Sequence, residues 1–262
     1  MKITVLGSGS AAGVPMISAG WGRCDPEEPK NHRLRASVLV ESEGATILVD
    51  TGPDLRQQLL NAKVRRLDGI LYTHAHADHT HGIDEVREIN RAMRAAIPVW
   101  GMDSTLMSLR NRFDYAFNGF ENITSPDVII YHPWLIPHVI DTADPQPFTI
   151  GKVEVAPFLQ DHGWESSLGF RFGNFAYSTD VTALSENAFA ILEGVGVWIV
   201  GCLTERPHTT HADLQTVLQW VKRLRPRRTI LTHMGIGLDY AMLKASLPPG
   251  VEPGYDGLTI EI

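Results

Sequence analysis

The run T-H-A-H-A-D-H-T-H at 73–81 holds four of the chain's eleven histidines and one aspartate within eight positions, directly after the apolar stretch I-L-Y. Imidazole and carboxylate both ligate divalent transition metals, and imidazole also exchanges protons near neutral pH. In an extended segment residues i and i+2 point to the same side. His74 and His76 can therefore serve one ion, while Asp78 and His79 follow where the chain must turn and face a second point. The order H-x-H-x-D-H suits two neighbouring ions better than one.

One segment leaves both ions undercoordinated. Three further candidates stand at the tips of apolar runs: His162 in Q-D-H-G, Asp180 in Y-S-T-D and His233 in I-L-T-H. A carboxylate can bridge two cations, which makes Asp180 the natural shared ligand. Two ions ~3.5–4 Å apart hold a hydroxide nucleophile and clamp a phosphoryl or carbonyl oxygen. Zn²⁺ or Mn²⁺ suit these ligands best, with Fe²⁺ as an alternative. His32, His81, His132 and His138 read as ordinary solvated or hydrogen-bonded histidines.

The elements that must position these residues follow from periodicity. Strands are expected at 2–7, 37–42, 45–50, 68–73 and 98–101, then at 147–150, 152–159, 168–172, 175–179, 195–200, 228–232 and 258–262. Helices are expected at 53–62 (opened by Pro53 in its first turn), 83–96, 103–112, 184–193, 211–224 and 239–246. The connection 114–147 is the least patterned part and the best candidate for a loop near a ligand. No low-complexity linker divides the chain, so residues 1–262 are read as a single domain built from two similar halves.

With 262 residues the chain can bury ~75% of its unfolded surface without staples. Cys24 and Cys202 are too few for a disulfide framework and fit a reducing compartment. No signal-peptide core and no membrane-length apolar run is present, which reads as cytoplasmic with no membrane partner. The net charge of −7 argues against a large nucleic-acid partner, although a small anionic ligand stays open. The composition is compatible with a homodimer.

T-H-A-H-A-D-H-x-x-G, with the later His162, Asp180 and His233, resembles the metallo-β-lactamase superfamily across essentially the whole chain. The resemblance implies a four-layer αββα sandwich of two mixed sheets flanked by helices. It also implies that His74, His76 and His162 hold one ion, Asp78, His79 and His233 the other, with Asp180 bridging. Asp50 in I-L-V-D-T-G matches the family's early aspartate beneath the cluster. Many exported β-lactamases of the fold carry cysteine where Asp180 stands, and the diiron flavoproteins carry glutamate in place of His76. What remains is hydrolysis of esters, thioesters, lactones or phosphodiesters.

Three stretches favour phosphodiesters. G-S-G-S-A-A-G-V-P at 7–15 is a flexible turn whose N–H groups are expected to be free, with Ser10 as a candidate substrate contact. In R-P-H-T-T-H-A-D-L at 206–214, Thr210 and Asp213 have capping-box spacing, so His211 is expected in the first turn of helix 211–224, facing an anion beside His208. The third is the tail from Leu247 to Ile262. Together with 82–90 and the aromatics F-D-Y-A-F at 113–117, these resemble the cyclic-phosphate phosphodiesterase of the carbon–phosphorus lyase pathway (PhnP-like), and less closely the tRNA-end-processing endonucleases. Those aromatics stack on a base or sugar, or belong to the core.

The expected activity is a dinuclear metal-dependent phosphodiesterase acting on small cyclic or nucleotide-like phosphodiesters. Asp78 and His211 take the catalytic parts, and His208, His211 and Ser10 contact substrate. A thioesterase or lactonase with the same metals, and a non-catalytic nucleotide-binding sensor, are the alternatives. Relatives in that branch often carry an extra zinc held by closely spaced cysteines. This chain has only Cys24 there, and Ile236 at the later ligand position, so no structural zinc is expected.

Overall fold

Alternation in the strands explains the layering before any topology is drawn. In the strand Ser37–Ser42, Val38 and Val40 point into one apolar cluster and Leu39 into another; in Val197–Gly201, Val197 and Ile199 join that same first cluster while Trp198 and Val200 join a third. Period-two strands with both faces apolar need a layer on each side. Three cores separate four layers.

The computed structural model describes residues 1–118 and 134–262. His132, and the part of the 114–147 connection at 119–133, lie outside the described residues. The first half carries β1 (Lys2–Gly7), β2 (Ser37–Ser42), β3 (Ala45–Val49), β4 (Gly69–Leu71), β5 (Ile97–Met102) and β6 (Leu135–Ile140). The second carries β7 (Phe148–Ile150), β8 (Val153–Asp161), β9 (Ser166–Phe172), β10 (Phe175–Ser178), β11 (Val197–Gly201), β12 (Arg228–Thr232) and β13 (Val251–Pro253). The strand β14 (Thr259–Glu261) returns to the first sheet. The sheet orders are β14-β1-β2-β3-β4-β5-β6 and β13-β12-β11-β10-β9-β8-β7. Each sheet is mixed: β3 to β6 run parallel, as do β10 to β13, and the remaining pairs are antiparallel.

The helices are α1 (Leu55–Asn61), α2 (Ala77–Thr80), α3 (Val86–Met93), α4 (Asp103–Arg112), α5 (Asp114–Phe117), α6 (Glu186–Leu192), α7 (Leu214–Leu224) and α8 (Tyr240–Ser246). The first sheet packs Leu48, Ile70 and Tyr72 against Leu55 and Leu59 of α1, Val86 and Ile89 of α3, and Leu106 and Leu109 of α4. The second packs Trp198 and Val200 against Leu192 of α6 and Val217 and Trp220 of α7. Between the sheets lie Ile3, Val5, Val38 and Val49 against Phe170, Phe172, Tyr177 and Ile199.

Several expectations need correction. Helix α1 begins at Leu55 with Asp54 at its N-cap, so Pro53 precedes the helix instead of standing in its first turn, and the Asp54 carboxylate is tied to Arg35 at 3.0 Å. The expected helix 83–96 is a 3-10 turn at Ile83–Glu85 followed by α3, which ends where Arg94 adopts φ +53°. The connection 114–147 contains α5 and β6. Phe117 is buried in the core and Tyr115 donates to Asp84, which favours the packing reading of that aromatic run. Helix 211–224 begins only at Leu214, because Asp213 is its N-cap and accepts from Thr216 N at 2.9 Å. His211 therefore precedes the helix instead of sitting in its first turn.

Candidate metal centre

The strands β3, β4, β8, β10 and β12 all end at one edge of the sandwich, and each releases a polar residue there. Asp50 follows β3, His74 comes three residues after β4, His162 follows β8, Asp180 comes two residues after β10, and His233 follows β12. The extended stretch after β4 aims His74 and His76, and α2, with His76 at its N-cap, carries Asp78 and His79 in its first turn. Arg112 at the end of α4 donates to the Ala75 carbonyl at 2.6 Å, pinning the segment between the two histidines.

Two groups of side chains result. In one, single ligand atoms of His74, His76, His162 and Asp180 all lie within 4.8 Å of one another; in the other, those of Asp78, His79, His233 and Asp180 do the same. Asp180 divides its oxygens between them. Its Oδ2 lies 3.7 Å from His74 Nε2 and 3.6 Å from His162 Nε2, and its Oδ1 lies 3.3 Å from His79 Nε2 and 3.2 Å from His233 Nε2. Asp78 Oδ2 is 3.1 Å from His79 Nε2 and 3.4 Å from His233 Nε2.

Surrounding residues aim the rings. His79 Nδ1 donates to Asp50 at 2.7 Å, His162 Nδ1 donates to the Thr210 carbonyl at 2.6 Å, and His74 Nδ1 lies 3.0 Å from Thr73 Oγ1, whose own proton goes to Asp50. With Nδ1 of these three rings occupied, their Nε2 atoms face the centre, which is how metal-ligating imidazoles are ordinarily held. His79 Nε2 is buried and has no hydrogen-bond partner. The backbone is also bent for the purpose: Asp50, Asp180 and His233 have φ of +66°, +48° and +54°. Left-handed conformations at non-glycine residues cost about 1–3 kcal/mol each and collect at functional sites.

The electrostatics call for positive charge. Asp50, Asp78 and Asp180 are all buried, and their ion pairs are with histidines. Burial opposes the charge on Asp180, but His233 and His79 outweigh it and hold the carboxyl well below the usual range. Burial likewise opposes protonation of His79, and Asp78, Asp180 and Asp50 drive it well above the ordinary imidazole value. His74 is pushed well down by burial and then by His79. Buried carboxylates are stable only when paired with cations, so a donor set of imidazole nitrogens and carboxylates around this much negative charge fits divalent ions.

The substrate-side candidates fare unequally. His211 is half-buried beside the cluster, with Nε2 donating to Asp180 Oδ2 at 3.1 Å and Nδ1 2.8 Å from Thr210 Oγ1. His208 is exposed, its ring 5.2 Å from that of His211. Ser10 is buried, and the expected free amides are spent: Ser8 N on Asp256, Gly9 N on Leu34, Ser10 N on Met234 and Val14 N on Arg33. Through Ser8 and Ser10, both bonded to Met234, the glycine-rich turn braces His233 from behind. Glu165, which sequence reasoning missed, approaches His76 Nε2 at 2.5 Å. Of the remaining histidines, His32 packs on Trp21, His138 stacks on Trp100, and His81 meets Phe113 and Arg112. Cys24 is buried against Arg33 and the carbonyls of Ile236 and Leu238.

The profile of the Beta-lactamase superfamily domain matches residues 45–234. The chain belongs to the metallo-β-lactamase superfamily. Within the superfamily it is similar to a crystal structure described as a new diphosphatase from the PhnP family, with 30% identity and a TM-score of 0.88 over 99% of this chain and 96% of that one. It is 28% identical to an octanoyltransferase of Porphyromonas gingivalis over 98% of its own length, and spans about half (51%) of that relative. It is also 40% identical to a ribonuclease Z of Bradyrhizobium sp. over 31% of this chain and 27% of that one. Among the described residues no helix is long and apolar enough to cross a membrane.

Proposed function

We propose that the chain is a dinuclear metal-dependent phosphodiesterase hydrolysing small cyclic or nucleotide-like phosphodiesters. The observation that carries it is Asp180, whose two oxygens face two separate ligand groups. In this reading His74, His76 and His162 hold one ion, Asp78, His79 and His233 the other, and Asp180 bridges. When bound, two divalent ions supply a hydroxide nucleophile near neutral pH and a Lewis-acid clamp on phosphoryl oxygens.

The chain's own residues do the rest. Asp50 fixes the orientation of His79 and, through Thr73, that of His74; the Thr210 carbonyl fixes His162. His211 is hydrogen-bonded at both nitrogens yet reaches the cluster's open side, where it can give a proton to a departing alkoxide. The likeness to a PhnP-family diphosphatase over nearly the whole chain supports phosphorus as the electrophile. The name of the octanoyltransferase relative, which is twice this chain's length, keeps acyl esters as the second reading.

A hydrolysis screen of metal-replete protein separates them. Turnover of bis(p-nitrophenyl) phosphate and of nucleoside cyclic phosphates is expected. Turnover of carboxylic thioesters or lactones without any phosphodiester would replace this reading with the acyl one, and saturable nucleotide binding without turnover would replace it with a sensor.

A further inference from the structure

Beside the metal centre, a tryptophan side chain stands in solvent. Trp164 is 82% exposed, whereas Trp134, Trp198 and Trp220 are buried. Single exposed aliphatic residues need no explanation, but an indole left open in a cleft is a ready contact surface. Its backbone is held on both sides. His162 on one side is fixed to Thr210, and Glu165 on the other to His76, while Gly163 N donates to Asp161 at 2.7 Å. Gly163 has φ +84°, and a Cβ there would approach the Thr209 carbonyl to 3.0 Å. The turn is rigid; the ring it displays is uncovered.

Trp164 lines a cavity of about 490 Å³ together with Asp161, Glu165, Ser166 and Ser185. That cavity shares Leu159, Glu165 and Ser166 with a neighbouring one of about 750 Å³, which adds Asp103 and Asp141 and reaches Ala75 between His74 and His76. Among the described residues neither is lined by a lysine or an arginine. An occupant must therefore keep its negative charge at the metal centre and bring a neutral, flat face with N–H donors into the cavity.

We propose that Trp164 is a stacking platform for a nucleobase carried by the substrate, with the carboxylates of Asp161 and Glu165 receiving the base's N–H groups. The proposal rests on the phosphodiesterase reading and narrows its substrate class from cyclic sugar phosphates in general to those bearing a base. A sugar phosphate alone leaves the indole without a partner and adds nothing to the acceptor positions of Asp161 and Glu165 beyond their bonds to Gly163 N and His76.

The test compares metal-loaded wild type, Trp164→Ala and Trp164→Phe by calorimetric titration with adenosine 5′-monophosphate and with ribose 5-phosphate. Wild type should prefer the nucleotide. Trp164→Ala should weaken it ~5- to 150-fold, the range expected for one base–aromatic stack, while leaving ribose 5-phosphate binding and ion content unchanged. Trp164→Phe should fall between. Equal weakening of both ligands, no preference in wild type, or binding of neither overturns the proposal. Hydrolysis of bis(p-nitrophenyl) phosphate by wild type then tells the two failures apart: if it persists, only the stacking is lost, and if no phosphodiester is turned over, the reading beneath it falls too.

Discussion

Asp180 meets four imidazole nitrogens of the candidate ligands within 3.7 Å, two on each of its oxygens, and His211 Nε2 adds a fifth at 3.1 Å from Oδ2. Elemental analysis should therefore find about two transition-metal ions per chain, and Asp180→Ala should lower occupancy at both positions. Retention of both ions in that variant would show that the carboxylate is not the bridge. His211 makes a different test, because an alkoxide leaving from a ribose needs a proton and a nitrophenolate does not. His211→Ala should slow cyclic-ribose diesters by ~10²–10⁴-fold, the usual worth of a general acid, with a much smaller loss on nitrophenyl diesters and unchanged ion content. Equal losses would leave His211 a positioning role only. The seven candidate ligands were legible because scarce residue types recur at ligand spacing and at strand tips. Glu165 and Arg112 were not: each acts on the 74–76 segment from a distant part of the chain, and neither carries a local pattern. The free amides expected of the 7–15 turn misled for the same reason, since Ser10 N is spent on Met234, a residue far along the sequence.

Strands were easier to foresee than helix starts. Alternation and the turn at Glu43-Gly44, both residues with positive φ, define β2 and β3 almost to the residue. A helix start depends on which polar side chain reaches an amide first, and the capping-box spacing placed Thr210 at the cap with Asp213 three residues inside the helix. Asp213 won. Removing it separates stability from chemistry. The segment carrying His211 is independently anchored, with Ala212 N on the Val181 carbonyl at 2.6 Å and Leu203 N on the Ala212 carbonyl at 3.1 Å. Asp213→Ala should cost about 1 kcal/mol, lowering Tm by about 2–4 °C, with the turnover number nearly intact. A large loss of rate at saturating metal would mean that the cap also positions His211. The edge strand β6 escaped notice because its exposed Ile136, His138 and Val139 break the burial alternation expected of a half-buried strand.

Across the whole molecule, the tail ties the two halves together. Asp256, between β13 and β14, accepts from Ser8 N and Oγ at 2.9 Å and from Leu34 N at 2.7 Å, and Ser8 in turn accepts from Met234 beside His233. Burial pushes the Asp256 carboxyl up to about 7 despite those donors. In an unfolded chain its pKa is ~3.9, so between these values the folded protein binds more protons. The resulting stability is fully present below about pH 4 and is lost as the pH rises through about 7. Melting curves across that window should show a smaller fall with rising pH for Asp256→Asn than for wild type; identical slopes would assign the proton elsewhere. The metal centre joins the same halves more directly, because His74 to His79 come from the first and His162, Asp180 and His233 from the second. Ions seated there act as a removable cross-link whose strength is set by supply. At a free concentration a hundredfold above Kd, binding to the folded state alone adds ~2.7 kcal/mol. A chelator should lower Tm, and titrated metal should restore it continuously instead of in one step. The folded fraction of this chain would then follow the free-ion level around it, so that scarcity of metal would shorten the protein's lifetime.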